Sequence, residues 1–194
     1  MGRKGTFERK TAETEVLCVL DLDGEGKAQV ETGIGFFDHM LQLLSRHSLM
    51  DLQVRAKGDL EVDFHHTVED VGIAMGEALK AALGQKEGIR RYGWAIVPMD
   101  EALVLLALDL SGRPYLGLED RIEGTVGGFD LELLEVFLSA FVTRGEMTLH
   151  VKVLSGRNKH HVAEAIFKGL ALALREAVQK DPRQVGIPST KGVL

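Results

Sequence analysis

Apolar residues follow two rhythms along the chain. Positions 36, 37, 40, 41, 43 and 44 share one helical face and predict a helix over Phe36–His47, with Asp38 near its positive end. Positions 68, 71, 74, 75, 78, 79, 82 and 83 predict a longer amphipathic helix over Thr67–Leu83, stopped by Gly84. Ahead of them, Glu15–Leu22 and Ala28–Thr32 read as a hairpin around Asp23-Gly24-Glu25-Gly26. Between the helices, Leu52–Ala56 reads as a strand. After the turn at Lys57-Gly58-Asp59, the alternation in Leu60–Phe64 predicts another.

The same order returns. Ala95–Val97, Leu103–Leu110 and Tyr115–Leu118 read as strands separated by turns such as Ser111-Gly112-Arg113-Pro114. Leu131–Val142 predicts a helix, Met147–Leu154 a strand, Ser155-Gly156-Arg157-Asn158 a loop and Val162–Val178 a long helix. The tail from Asp181 to Gly192 is turn chemistry without a period. Helix, strand and long helix recur about 95 residues apart, so the expected fold is α+β, an internally duplicated two-layer arrangement of sheet and helices. The predicted halves are 1–88 and 89–194, the second carrying the tail, and together they form one compact unit.

Composition narrows the functional classes. A net charge of −6 argues against a nucleic-acid binder, which needs a basic face to neutralise phosphates. One cysteine, Cys18, excludes an internal disulfide and a thiolate zinc site, and suits a reducing cytoplasm. Met1–Glu8 is charged and lacks an apolar signal core, and no apolar run is long enough to span a bilayer. The expected location is cytoplasmic.

Histidine carries the strongest signal. Asp63-Phe64-His65-His66-Thr67-Val68-Glu69 and Asn158-Lys159-His160-His161-Val162-Ala163-Glu164 both contain His-His-x-x-Glu at the entrance to a long helix. Residues three or four apart share a helical face, which puts Glu69 beside His65 or His66, and Glu164 beside His160 or His161. Adjacent histidines diverge by about 100°, so each doublet can serve two metals. Imidazole with carboxylate suits Mn, Fe, Zn, Co or Ni rather than Ca or Mg. His39 precedes the first doublet near a helix start and is a further candidate ligand; the matching helix of the second half has Val136 instead. His47 lies near a helix end, and His150 reads as structural. Candidate anion-binding groups are scattered: Arg91, Arg113, Lys168 four residues beyond Glu164, and Ser189, Thr190 and Lys191 in the tail. Gly33-Ile34-Gly35 lacks the third glycine of a dinucleotide loop, and there is no Walker loop. A dinuclear metallohydrolase and a non-catalytic metal store are the competing classes. The first normally uses bridging carboxylates, and ferritin-like bundles use four long helices with Glu-x-x-His, the reverse order.

Arg9–Thr14, Gly33–Leu41, Asp63–Asp70, Pro98–Ala102 with Asp109–Pro114, Asn158–Lys168 and Pro188–Gly192 occur together and in order, and nearly the whole chain closely resembles the imidazoleglycerol-phosphate dehydratase family. The resemblance implies a ribosomal-protein-S5-domain-2-like fold, two Mn²⁺ ions per active site, and a homo-oligomer of 24 subunits with sites between subunits. By matching position it implies the metal ligands His39, His65, His66, Glu69, His160, His161 and Glu164. The family usually has another ligating histidine where this chain has Val136. Glu13 matches the acid/base carboxylate, with His65, Glu69, His161 and Glu164 also in the catalytic set. Arg91, Arg113, Lys168, Ser189, Thr190 and Lys191 match phosphate-binding positions, and His39 and His47 fall in the stretch lining the substrate pocket.

The implied reaction is loss of water from D-erythro-imidazole glycerol 3-phosphate to give imidazole acetol phosphate, in histidine biosynthesis. The proton to be lost sits on a carbon without an adjacent carbonyl, so direct abstraction faces a high barrier. A ring held as a metal-bound imidazolate expels the neighbouring hydroxyl, and the diazafulvene-like species then acidifies the next C–H for a base such as Glu13.

Overall fold

The computed structural model describes residues 2–119 and 122–194. In the first half, β1 (Lys4–Lys10), β2 (Thr14–Asp21), β3 (Ala28–Glu31), α1 (Gly35–Ser48), β4 (Asp51–Gly58) and α2 (His65–Leu83) follow one another. The second half contains β5 (Tyr92–Met99), β6 (Ala102–Asp109), β7 (Tyr115–Leu118), the short hairpin β8 (Thr125–Val126) and β9 (Phe129–Asp130), α3 (Glu132–Gly145), β10 (Thr148–Ser155) and α4 (Lys159–Ala177). The two main sheets run β1-β2-β4-β3 and β5-β6-β10-β7, each ending in a parallel pair, so an internally duplicated α+β fold is what the chain forms.

Burial alternates along β2 and β6, with Val16, Cys18 and Leu20 facing inward on one and Val104, Leu106 and Leu108 on the other. The long helix of each half covers its own sheet. Gly5 on β1 and Gly93 on β5 mark where this crossing is tightest. A Cβ on either would sit 1.9 Å from a helix carbonyl, of Ala78 and Ala173 respectively. The shorter helices exchange partners: α3 of the second half packs on α2 of the first, and α1 of the first packs on α4 of the second. Buried Phe37, Phe129, Phe137, Phe141 and Phe167 stack through the middle and join both halves in one core.

Two sequence expectations need correction, and one strand carried no sequence signal. Glu15–Leu22 and Ala28–Thr32 do not form a hairpin; β3 lies parallel to β4, which separates it from β2. The connection wraps the start of β4 instead, with Glu25 and Lys27 backbone N–H groups donating to Asp51 Oδ1, both at 2.8 Å. Leu60–Phe64 is not a strand. Val62 N donates to Asp59 O at 2.8 Å to close a turn, and the helix begins at His65, whose N–H donates to Asp63 Oδ1 at 2.7 Å. Finally, Lys4–Lys10 is a strand along its whole length, paired with β2, although its charges hide the alternation.

Candidate active site

Two crossings of a short helix over a long one carry the histidine chemistry. At the first, Thr32 donates from N and Oγ1 to Asp38 Oδ1 (2.9 and 2.6 Å), which fixes the start of α1 and presents His39 to α4. Asn158 caps α4, its Oδ1 accepting from His160 N at 3.0 Å. The next turn brings Glu164 beneath His160, as expected for residues four apart. Glu164 Oε1 is 3.0 Å from both His39 Nε2 and His160 Nε2, while Oε2 accepts from Lys168 Nζ at 2.6 Å. Phe36 stands edge-on to the His160 ring at 5.4 Å. Burial alone would raise the Glu164 carboxyl; hydrogen bonds from Lys168, His39 and His160 outweigh it and bring it down to about 2. An ionised carboxylate and two imidazoles within 4.8 Å of one another match the donor set of a borderline divalent cation.

At the second crossing, His65 and Glu69 of α2 face α3 across an open cleft of about 630 Å³ that Glu132, Glu135 and Val136 also line. Val136 occupies on α3 the place of His39 on α1, so this side lacks the second imidazole. The Phe129 ring lies between the crossings, 5.4 Å from Phe36 and 6.5 Å from Phe64. Within one chain the two groups are therefore separate.

Each doublet is split. The rings of His65 and His66 are 83° apart in plane, and those of His160 and His161 86°. His66 Nδ1 is 3.0 Å from Asp59 Oδ2 and 3.8 Å from Glu13 Oε2; His161 Nδ1 is 2.8 Å from Glu101 Oε2. Asp59 and Glu101 chiefly raise the pKa values of these imidazoles, and hydrogen bonds from His161 and from the backbone of Asn158 take Glu101 down to about 2. Sequence reading missed both carboxylates as functional residues. Glu101 was within reach of it: it immediately precedes β6 as Glu13 immediately precedes β2, and both face the outer histidine of a doublet. Glu13 rides on a turn in which Thr11 Oγ1 accepts from the backbone of Glu13 and Thr14. Buried Asp70 pins that turn to α2, accepting from Thr14 Oγ1 and from Arg9 Nε at 2.7 Å.

The anion-binding candidates gather elsewhere. Arg91 binds Asp109 through two bonds, at 2.7 and 3.0 Å, and donates to Pro188 O at 2.9 Å, just before Ser189, Thr190 and Lys191. Arg113 approaches the same carboxylate at 3.9 Å. Arg91 N also donates to Ala177 O at the far end of α4, roughly 20 Å along the helix from Glu164. Lys168 alone of this group joins the His39 cluster. His47 lies near it, its pKa lowered by burial and by Lys168. Burial pushes the Cys18 thiol up to about 12, which makes it inert as a nucleophile near neutrality.

Fold and site together define an α+β protein, duplicated internally, that presents imidazole–carboxylate clusters where helices of opposite halves cross. The family model for imidazoleglycerol-phosphate dehydratase matches residues 32–174, and the chain belongs to that family. It is 57% identical over 195 residues to the imidazoleglycerol-phosphate dehydratase of Desulforamulus reducens and 58% identical over 196 residues to that of Moorella thermoacetica, both covering 100% of each chain. Among solved structures it resembles the enzyme of Staphylococcus aureus (TM-score 0.80, 36% identity, 92% of this chain and 99% of that one). It also resembles the Pyrococcus furiosus enzyme in complex with (S)-C348 (TM-score 0.83, 39% identity, 97% and 100%). Membership makes it a dehydratase, a carbon–oxygen hydro-lyase.

Proposed function

We propose that the chain converts D-erythro-imidazole glycerol 3-phosphate to imidazole acetol phosphate in histidine biosynthesis, with two Mn²⁺ ions per active site. The observation that carries the metal reading is the ready-made group of His39, His160 and Glu164, whose donor atoms lie within 4.8 Å of one another. His65, His66, Glu69 and His161 complete the ligand set. When bound, the cations supply Lewis acidity and a template for the two nitrogens of the substrate's imidazole ring.

The chain's own groups do the rest. Glu13, half exposed on its turn beside His66, takes the proton from the C–H next to the departing hydroxyl; a base so positioned contributes ~10²–10⁴-fold. The hydroxyl leaves as water, the proton it gains balanced by the one Glu13 takes from carbon, and the resulting enol becomes the ketone. His65, Glu69, His161 and Glu164 orient the reacting ring. Arg91, Arg113, Lys168, Ser189, Thr190 and Lys191 hold the phosphate, with paired guanidinium bonds suited to its oxygens. His39 and His47 line the pocket. In one chain Arg91 and Glu164 sit toward opposite ends of α4, which supports active sites assembled between subunits, in a homo-oligomer of 24. The halves 1–88 and 89–194 are the two copies of the duplicated unit, and the enzyme works in the cytoplasm.

The test is to strip the protein of metal, reconstitute it with Mn²⁺ and supply imidazole glycerol phosphate. An enolisable ketone is the expected product. Release of inorganic phosphate, or no reaction by fully loaded protein, overturns the reading.

A further inference from the structure

The duplication provides an internal comparison between the two helix crossings. α1 and α3 are both 14 residues long and cross the first turns of α4 and α2. At the fifth position α1 has His39 and α3 has Val136; at the first position α1 has Gly35 and α3 has Glu132. Where the imidazole is present the helix begins with no side chain, and where it is absent the helix begins with a carboxylate. A Cβ on Gly35 would meet nothing within 4 Å, so this first position opens onto unfilled space beside the site. Glu132 fills the equivalent place. It shares with His65 not only the 630 Å³ cleft containing Glu69 and Val136 but also an adjoining hollow of about 390 Å³. Residues four apart lie one turn above each other on the same helix face, so Glu132 and Val136 both look toward His65. Among the described residues the Glu132 carboxylate has no hydrogen-bond or ion-pair partner.

We infer that Glu132 replaces the missing imidazole as the ligand that α3 supplies to the cation held by His65 and Glu69; among the described residues only His39, His160 and Glu164 already lie within 4.8 Å of one another, so these three side chains close from the walls of their shared cleft as the cation binds. The inference rests on the metal-dependent reading above and makes the two metal positions chemically unequal. The helix crossing gives one of them two nitrogen donors and one oxygen (His39, His160, Glu164) and the other one nitrogen and two oxygens (His65, Glu69, Glu132), before the outer histidines His66 and His161 add theirs. The oxygen-rich position discriminates less strongly for Zn²⁺, Co²⁺ or Ni²⁺ over Mn²⁺ than its nitrogen-rich counterpart, because imidazole favours the later metals. A carboxylate there as a helix-end charge alone would leave metal binding untouched, and Glu135 in the same turn already supplies such a charge.

The experiment is a Mn²⁺ titration of metal-stripped, assembled full-length protein, followed by calorimetry and by metal analysis after desalting. Wild-type protein takes up two cations per chain. E132Q keeps one at wild-type affinity and binds the other at least 10-fold more weakly, with an unchanged melting temperature in the metal-free state. V136H added to E132Q restores the weakened position, and H39A removes the other one. Two wild-type affinities in E132Q overturn the inference, as does a wild-type protein that binds a single cation abolished by H39A. Wild-type protein that binds no manganese overturns the metal-dependent reading itself, a separate result from loss of the Glu132 role.

Discussion

The Nδ1 of His161 lies 2.8 Å from Glu101 Oε2, and the other oxygen of that carboxylate is taken by the backbone N–H groups of Arg157 (3.1 Å) and Asn158 (2.7 Å). One side chain therefore fixes the loop before α4 and the tautomer of the histidine that opens it. With Nδ1 carrying the proton, the Nε2 lone pair is an acceptor, met at 3.3 Å by Asn158 Nδ2, a donor that a bound cation would displace. Glu101→Gln keeps an oxygen for the two backbone donors but loses the charge facing His161. Its manganese affinity is expected to fall by about 10–100-fold, the usual cost of losing such a supporting carboxylate. Glu101→Ala frees the loop too, so its melting temperature drops where that of Glu101→Gln holds. Calorimetric titration and thermal melts on both variants check the distinction.

Glu164 joins α1 to α4 through His39 and His160. Replacing it by Gln preserves the shape and removes the anion. Manganese content and turnover are expected to fall together, as they are for Glu69→Gln at the other crossing. A transition state stabilised by a metal position loses that stabilisation when the metal leaves. Parallel metal analysis and product assay decide it: full activity in the double variant would contradict the assignment.

How far these features were legible in the sequence depended on whether the signal was local. The repeated His-His-x-x-Glu marks were visible because helical spacing is a short-range rule, and their dihedral splitting follows from it. Helix α2 starts at His65 rather than Thr67 because Asp63 captures its first N–H, a capping effect the apolar period does not report. Strand partners were not local. The turn after β2 looks like a hairpin, yet Asp51 draws that loop over β4 and sends β3 to the far edge. β1 was hidden because only Gly5 is fully buried among its seven residues, the rest being exposed or half-buried. Glu101 reaches His161 across 60 positions, a pairing that exists only once the second sheet and α4 are assembled.

Gly93 gives the cleanest test of how tightly the halves are built. β5 passes α4 so closely that a methyl group there meets Ala173 O at 1.9 Å, and the atom it meets is backbone, which cannot rotate aside. Gly93→Ala is expected to destabilise the protein by about 1–3 kcal/mol or more, as overpacking of a close-packed contact does. The equivalent Gly5→Ala, against Ala78 O, should behave alike. By contrast Gly35→Ala, in open space near the site, should leave the denaturation midpoint nearly unchanged. Urea melts of the three variants would expose an error if all three moved equally.

Acid should loosen the metal-free protein through the same carboxylate that organises the first crossing. Glu164 titrates at about 2 in the folded chain, below its ordinary value near 4.5. A depressed folded pKa means that the unfolded chain binds its proton first, so the ionised form stabilises the fold. That contribution is fully present above about pH 4.5 and is lost as pH falls toward 2; for this largely buried group it amounts to roughly 3 kcal/mol at most. Glu101 adds to the same window in the same direction. In Glu164→Gln there is no proton to take up, so the variant begins less stable near neutrality and its stability declines less between pH 5 and pH 2.5. Urea midpoints of metal-stripped wild type and variant across that range measure the difference directly. Parallel curves would mean that Lys168, His39 and His160 do not hold the Glu164 charge in solution.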